Sequence, residues 1–181
     1  MVNADQEEMH VVKTKIVKAP GLSEKNCPSC DILSGKTPSL GGVIYENDAW
    51  HVDSIRPPVV WKGFLIVKLK RHCEHIAQLT PQEALSLGPT LQSTCHALSD
   101  VLHPAKIYVC SFGDGVKHIH FWILPRPAEM QPGMHAVMRS LDVRTALTRI
   151  LGVKKWIVPN VEIERLAEKL RNHPAYHLPH K

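Results

Sequence analysis

Val116-Lys117-His118-Ile119-His120-Phe121-Trp122-Ile123-Leu124-Pro125-Arg126 is the most informative stretch of this 181-residue chain. Read as a strand, its side chains alternate between two faces. Ile119, Phe121 and Ile123 share one face, and three large apolar side chains predict that this face meets a core. His118, His120 and Trp122 share the other face, which presents two imidazoles and an indole N–H. Same-face neighbours on a strand lie ~6.6 Å apart. That separation lets two histidines do different jobs, one binding a metal while the next attacks a substrate. A neutral imidazole near pH 7 is both a competent nucleophile and a leaving group. The strand is expected over 116–124, stopped by Pro125 and Pro127.

The surrounding sequence supplies partners for that strand. Residues 107–112 read as a strand, and Gly113-Asp114-Gly115 as the turn that returns the chain into 116–124. Residues 63–67 are an apolar run bounded by charge, consistent with a buried strand. Residues 43–45 and 49–52 form two more, joined by the turn signal Glu46-Asn47-Asp48. Thr80, Pro81 and Glu83 make a capping box with proline at the first helical position. Beyond it Ala84, Leu87, Leu91, Cys95, Leu98, Val101 and Leu102 recur at helical spacing, so one helix runs to about Leu102 and buries one face. His103-Pro104 ends it. These elements predict an α+β fold: a long antiparallel meander with one substantial helix across it. The tail is expected to add helices over about 141–151, stopped by Gly152, and about 161–172, capped by Asn160. The organisation reads as a flexible lead-in at 1–20 with a short strand at 10–17, a core domain at 21–130 and a helical extension at 131–181.

Composition narrows the class. Hydrophobic residues make up 44% and charged residues 22%, which argues against a wholly disordered chain. No apolar run approaches the ~20 residues of a membrane-spanning helix. Residues 1–18 mix acids with lysines and lack a signal-like apolar stretch, so a cytoplasmic protein is expected. The formal charge is +5, and it is unevenly placed. Residues 1–135 contain 13 Lys+Arg and 13 Asp+Glu; residues 136–181 contain nine and four. A neutral body therefore carries a basic appendage. A solvated helical surface is the favoured reading of that appendage, ahead of a nucleic-acid contact.

Five cysteines is an odd number for a disulfide framework, and reduced thiols or metal ligands fit better. Cys27-Pro28-Ser29-Cys30 places two thiolates where they can chelate one metal, with the turn stiffened by proline. A redox pair or two free thiols are the competing readings. Residues 19–26 do not read as the strand that precedes a thioredoxin-like site. Cys73, Cys95 and Cys110 read as small buried apolar residues. Of the 12 histidines, His75 and His96 read as surface or satisfied residues on helical segments, and His10, His103, His135, His173, His177 and His180 have no partner spacing.

His118-Ile119-His120-Phe121-Trp122-Ile123-Leu124-Pro125-Arg126 resembles the histidine triad signature, His-φ-His-φ-His-φ-φ with φ apolar, followed by Pro-Arg. The segment 63–72, Gly-Phe-Leu-Ile-Val-Lys-Leu-Lys-Arg-His, is similar to that superfamily's Gly-x-φ-φ-φ-x-Pro-Lys-Arg-His, with Leu69 at the proline. Leu79-Thr80-Pro81-x-Glu83 matches too, and the resemblance covers about 27–126 in order. It implies a nucleotide hydrolase or nucleotidyl transferase of the superfamily's zinc-containing branch. His120 would be the nucleophile on an α-phosphorus, giving a nucleotidyl-histidine intermediate that water or another acceptor releases. The backbone carbonyl of His118 would fix its tautomer. Mononucleotide phosphoramidates and dinucleoside polyphosphates are the implied substrates, and a homodimer the implied assembly. Cys27, Cys30, His72 and His118 would hold a structural zinc that pins the N-terminal turn to the histidine strand. Asp53 stands where relatives contact the ribose. Ser111 is a further phosphate or ribose contact, and Lys117 a nearby positive charge. The departure is Trp122, where the superfamily has His or Gln near the leaving group. An indole donates one hydrogen bond and cannot shuttle a proton. Two other functions remain as alternatives: a nucleotide-binding regulatory protein with weak turnover, of which Trp122 is the sign, and a zinc-stabilised interaction module using the basic tail.

Overall fold

The computed structural model describes residues 26–177. The lead-in expected at 1–20, with its strand at 10–17, lies outside them. Five strands form one antiparallel sheet: β1 Tyr45–Glu46, β2 Trp50–Ser54, β3 Leu65–Leu69, β4 Lys106–Cys110 and β5 His120–Arg126. The spatial order is β1-β2-β3-β5-β4. The first three strands are a meander. A long helix then carries the chain past β3, so β4 lands at the far edge and the β4–β5 hairpin returns β5 to the middle. The histidine strand is therefore paired on both sides, with β3 and with β4.

The sheet is α+β in arrangement, with a separate cluster on each face. Ile119, Phe121 and Ile123 join Trp50, Val52, Leu65, Val67 and Leu69 in the first cluster. Helix α2, Pro81–Leu102, closes that face with Ala97 and Leu98. Its start is the expected capping box: Thr80 Oγ1 accepts from the Glu83 N–H, and the Glu83 carboxylate accepts from the Thr80 N–H. The second face carries Ile66, Leu124 and Trp122, packed with Trp61, Phe64, Val137 and Leu141.

The local boundaries differ from expectation at several places, and β5 begins at His120 rather than at 116. Strand β5 continues through Pro125 to Arg126. Beyond Ile123 the strand has no β3 partner, so a missing N–H on that side leaves no ladder bond broken. The Pro125 carbonyl on that side accepts from Trp61 Nε1 at 2.7 Å. Helix α3 spans Met134–Leu151 and begins well before residue 141, because Val137 also packs into the second cluster. Helix α4 spans Asn160–Arg171; Pro159 is its N-cap, and Asn160 is its first residue rather than its cap.

The C-terminal segment returns to the sheet. Leu166, Ala167 and Leu170 of α4, with Ala175 and Tyr176, belong to the first cluster, and α3 supplies Val137 and Leu141 to the second. Arg171 donates to the carbonyls of Gly41 at 2.6 Å and Val43 at 2.8 Å. No helix among the described residues is long and apolar enough to cross a membrane.

Candidate functional site

The ends of three segments meet at one corner of the second face. Helix α1, Pro28–Leu33, begins just after Cys27 and carries Cys30. His72 follows β3, and His118 precedes β5. The Ile119 N–H donates to the Cys73 carbonyl, and the Leu69 N–H to the Ile119 carbonyl, so the chain stays extended and paired ahead of the strand. Cys27 Sγ lies 3.5 Å from His118 Nδ1, and Cys30 Sγ lies 3.3 Å from His72 Nδ1 and 3.5 Å from His118 Nδ1. One ligand atom from each of the four residues falls within 4.8 Å of the others.

These distances fit a metal. Zn–S and Zn–N bonds in a tetrahedron place S and N about 3.6 Å apart. Two soft thiolates and two imidazoles suit zinc. His118 Nε2 lies 2.7 Å from the Leu69 carbonyl, which requires a proton on Nε2 and leaves the Nδ1 lone pair facing the thiols. Burial pushes the His118 imidazole down to about 4, so it is neutral at pH 7.

His120 opens β5, two residues on and on the same sheet face. Its Nδ1 lies 2.7 Å from the His118 carbonyl. A carbonyl only accepts, so Nδ1 carries the proton and Nε2 keeps its lone pair. Ser111 donates through Oγ to the His120 carbonyl at 2.8 Å, so it tethers the His120 backbone. Trp122 sits next along this face, edge-on to Phe64 and Phe112 with ring centroids 5.1 Å apart in both pairs. Lys117 is exposed.

Asp53 is fully buried on the same face. Its carboxylate oxygens lie 2.7 and 2.8 Å from Lys68 Nζ, and Oδ2 is 3.4 Å from His51 Nε2. In the sequence Lys68 closes an apolar run and has the look of flanking charge. Its parity with Phe64 and Ile66 is the signal that puts it on the His120 face.

No family model matches the chain, and no curated protein does. Solved structures do. A zinc-bound histidine triad family protein from Mycobacterium smegmatis superposes with TM-score 0.59 at 20% identity, covering 84% of this chain and 94% of that one. A Hit-like protein involved in cell-cycle regulation from Bartonella henselae gives 0.58 at 18% identity, covering 81% and 94%. A hypothetical histidine triad nucleotide-binding protein from Sulfolobus tokodaii gives 0.59 at 15%, covering 83% and 92%. The resemblance seen in the sequence thus extends to the whole fold.

Proposed function

We propose that this chain, which shares its fold with histidine triad proteins, is a nucleotide hydrolase or nucleotidyl transferase acting through His120. The observation that carries this reading is the 2.7 Å contact from His120 Nδ1 to the His118 carbonyl. It commits the proton to one ring nitrogen and leaves the other nucleophilic. The Nε2 lone pair attacks the α-phosphorus of a nucleoside phosphoramidate or dinucleoside polyphosphate. The bond from phosphorus to the leaving group breaks, and the leaving group departs with its electron pair. Water or another acceptor then attacks phosphorus and restores the neutral imidazole. Ser111 is assigned to holding the His120 backbone.

Cys27, Cys30, His72 and His118 would hold zinc. When bound, the ion supplies a structural cross-link between α1, the end of β3 and the histidine segment. A homodimer in the cytoplasm completes this reading. Trp122 favours a second one, a nucleotide-binding regulatory protein with slow turnover, since an indole wedged between Phe64 and Phe112 protonates no leaving group.

His120→Ala is the test. Release of nucleoside monophosphate from an aryl or amine phosphoramidate should fall to background, with zinc content and melting temperature unchanged. Full turnover in that variant would end the mechanism.

A further inference from the structure

The proposed chemistry puts negative charge on the α-phosphate as His120 attacks, and Trp122 brings no charge to meet it. A cation lies one strand away. Lys68 and His120 are Cα partners between β3 and β5. Partners share a face, with Cβ atoms about 4.5–5.5 Å apart. Lys68 is also the partner of His51, and His51 of Glu46. These residues form one polar row across four strands, running from Glu46 at the sheet edge to the nucleophile.

The row has the marks of a site prepared for a ligand. Lys68 is 2% exposed, on a face whose neighbouring rows carry Ile66, Trp122 and Leu124. A buried ammonium there needs a counter-charge. Asp53 is its single hydrogen-bond partner among the described residues, and an ammonium carries three donors. Asp53 comes from β2, on the side of β3 away from His120. Both Asp53 oxygens face Lys68 Nζ, and one buried polar atom of the group, His51 Nε2, makes no hydrogen bond. Buried polar atoms are almost always bonded, so the unpaired His51 ring nitrogen and the third ammonium donor of Lys68 leave this row able to take a further polar group.

We propose that Lys68 is the phosphate-binding cation of this site. Its ammonium, aimed by Asp53, receives a non-bridging oxygen of the α-phosphate while His120 Nε2 forms the N–P bond. This inference rests on the assignment of His120 as nucleophile. The N–P bond forms as the bond to the leaving group breaks; the leaving group keeps that electron pair and takes its proton from water. Lys68 transfers no proton. It holds the same oxygen again when water displaces His120.

Single-turnover kinetics with the two α-phosphorothioate diastereomers of a nucleoside phosphoramidate test this. Sulfur accepts a hydrogen bond from an ammonium poorly, so the wild-type protein should prefer one diastereomer. Lys68→Met should slow formation of the nucleotidyl-His120 adduct roughly 10²–10³-fold and erase that preference. Lys68→Arg should keep adduct formation and alter the diastereomer ratio. A structural role would leave the ratio untouched. Should Lys68→Met lose zinc or fail to fold, the Arg variant decides alone, and an unchanged ratio overturns the proposal. Adduct formation at the wild-type rate in Lys68→Met, with His120→Ala inactive, overturns it as well while sparing His120. Turnover that survives His120→Ala sinks the underlying mechanism instead.

Discussion

Trp122 is the residue whose replacement reports most directly on this site. It shares a face with His120 and is held edge-on by two phenylalanines. Trp122→His supplies a group that titrates near neutrality beside the leaving group. Turnover of substrates with a poor leaving group should rise at least ~10-fold, and substrates with a good leaving group should change little. Steady-state rates across a series of leaving groups check this, and a uniform response would remove Trp122 from leaving-group chemistry. The histidines themselves were legible in the sequence, because a strand's alternation is a local property. Lys68 was not, because its importance comes from a cross-strand register that joins residues 52 positions apart. Ser111 was legible as a polar residue next to the site; its bond to the His120 backbone came only with the β4–β5 pairing.

At the level of elements, the start of α2 is held by a capping box and an ion pair. Glu83 accepts from Arg71 Nε at 2.6 Å and Arg71 Nη2 at 2.7 Å, and from the Thr80 N–H at 2.7 Å. It ties the loop after β3 to the first turn of the helix. The Arg71 guanidinium holds the Glu83 carboxyl down at about 2. A carboxylate depressed in the folded state contributes stability above its unfolded value and loses it as pH falls toward the folded one. Glu83 should therefore stabilise the protein above about pH 4.5 and lose that contribution between there and about pH 2. Glu83→Gln should lower the urea midpoint at neutral pH and flatten its acid-side fall over that window. Thr80→Ala should cost about 1 kcal/mol through the same cap. An equal acid slope in wild type and Glu83→Gln would count against this pairing. This helix was readable from residues 80–102 because a capping box and an apolar stripe are both short-range signals. The start of α3 was not readable, since its first turns carry no side-chain cap and owe their place to Val137 meeting the second cluster.

At the scale of the whole molecule, two ties hold the parts in register: the Cys27, Cys30, His72, His118 cluster and the return of the tail. Removing zinc with a chelator at pH 7 should lower the melting temperature by about 10 °C. His120 activity should be lost before global unfolding, because His118 supplies both the ligand and the carbonyl that orients His120. Retained stability without metal would show that the cluster is not a folding element. At the other tie, Gly41 has φ +80°, and a Cβ there would meet the Ala167 side chain at 2.7 Å. Gly41→Ala should displace α4 and expose Leu166 and Leu170, read as dye binding and a lowered melting temperature. By itself the sequence determined the histidine alternation, the Cys27–Cys30 turn, the main helix and the α+β class. Each is written in periodicity, caps or spacing within a few tens of residues. Tertiary structure alone decided that β5 lies between β3 and β4, that Lys68 and Asp53 pair one strand from His120, and that the basic tail completes both clusters. Those outcomes depend on which apolar surfaces cover each other, and that is settled by burial across the whole chain rather than by any local pattern.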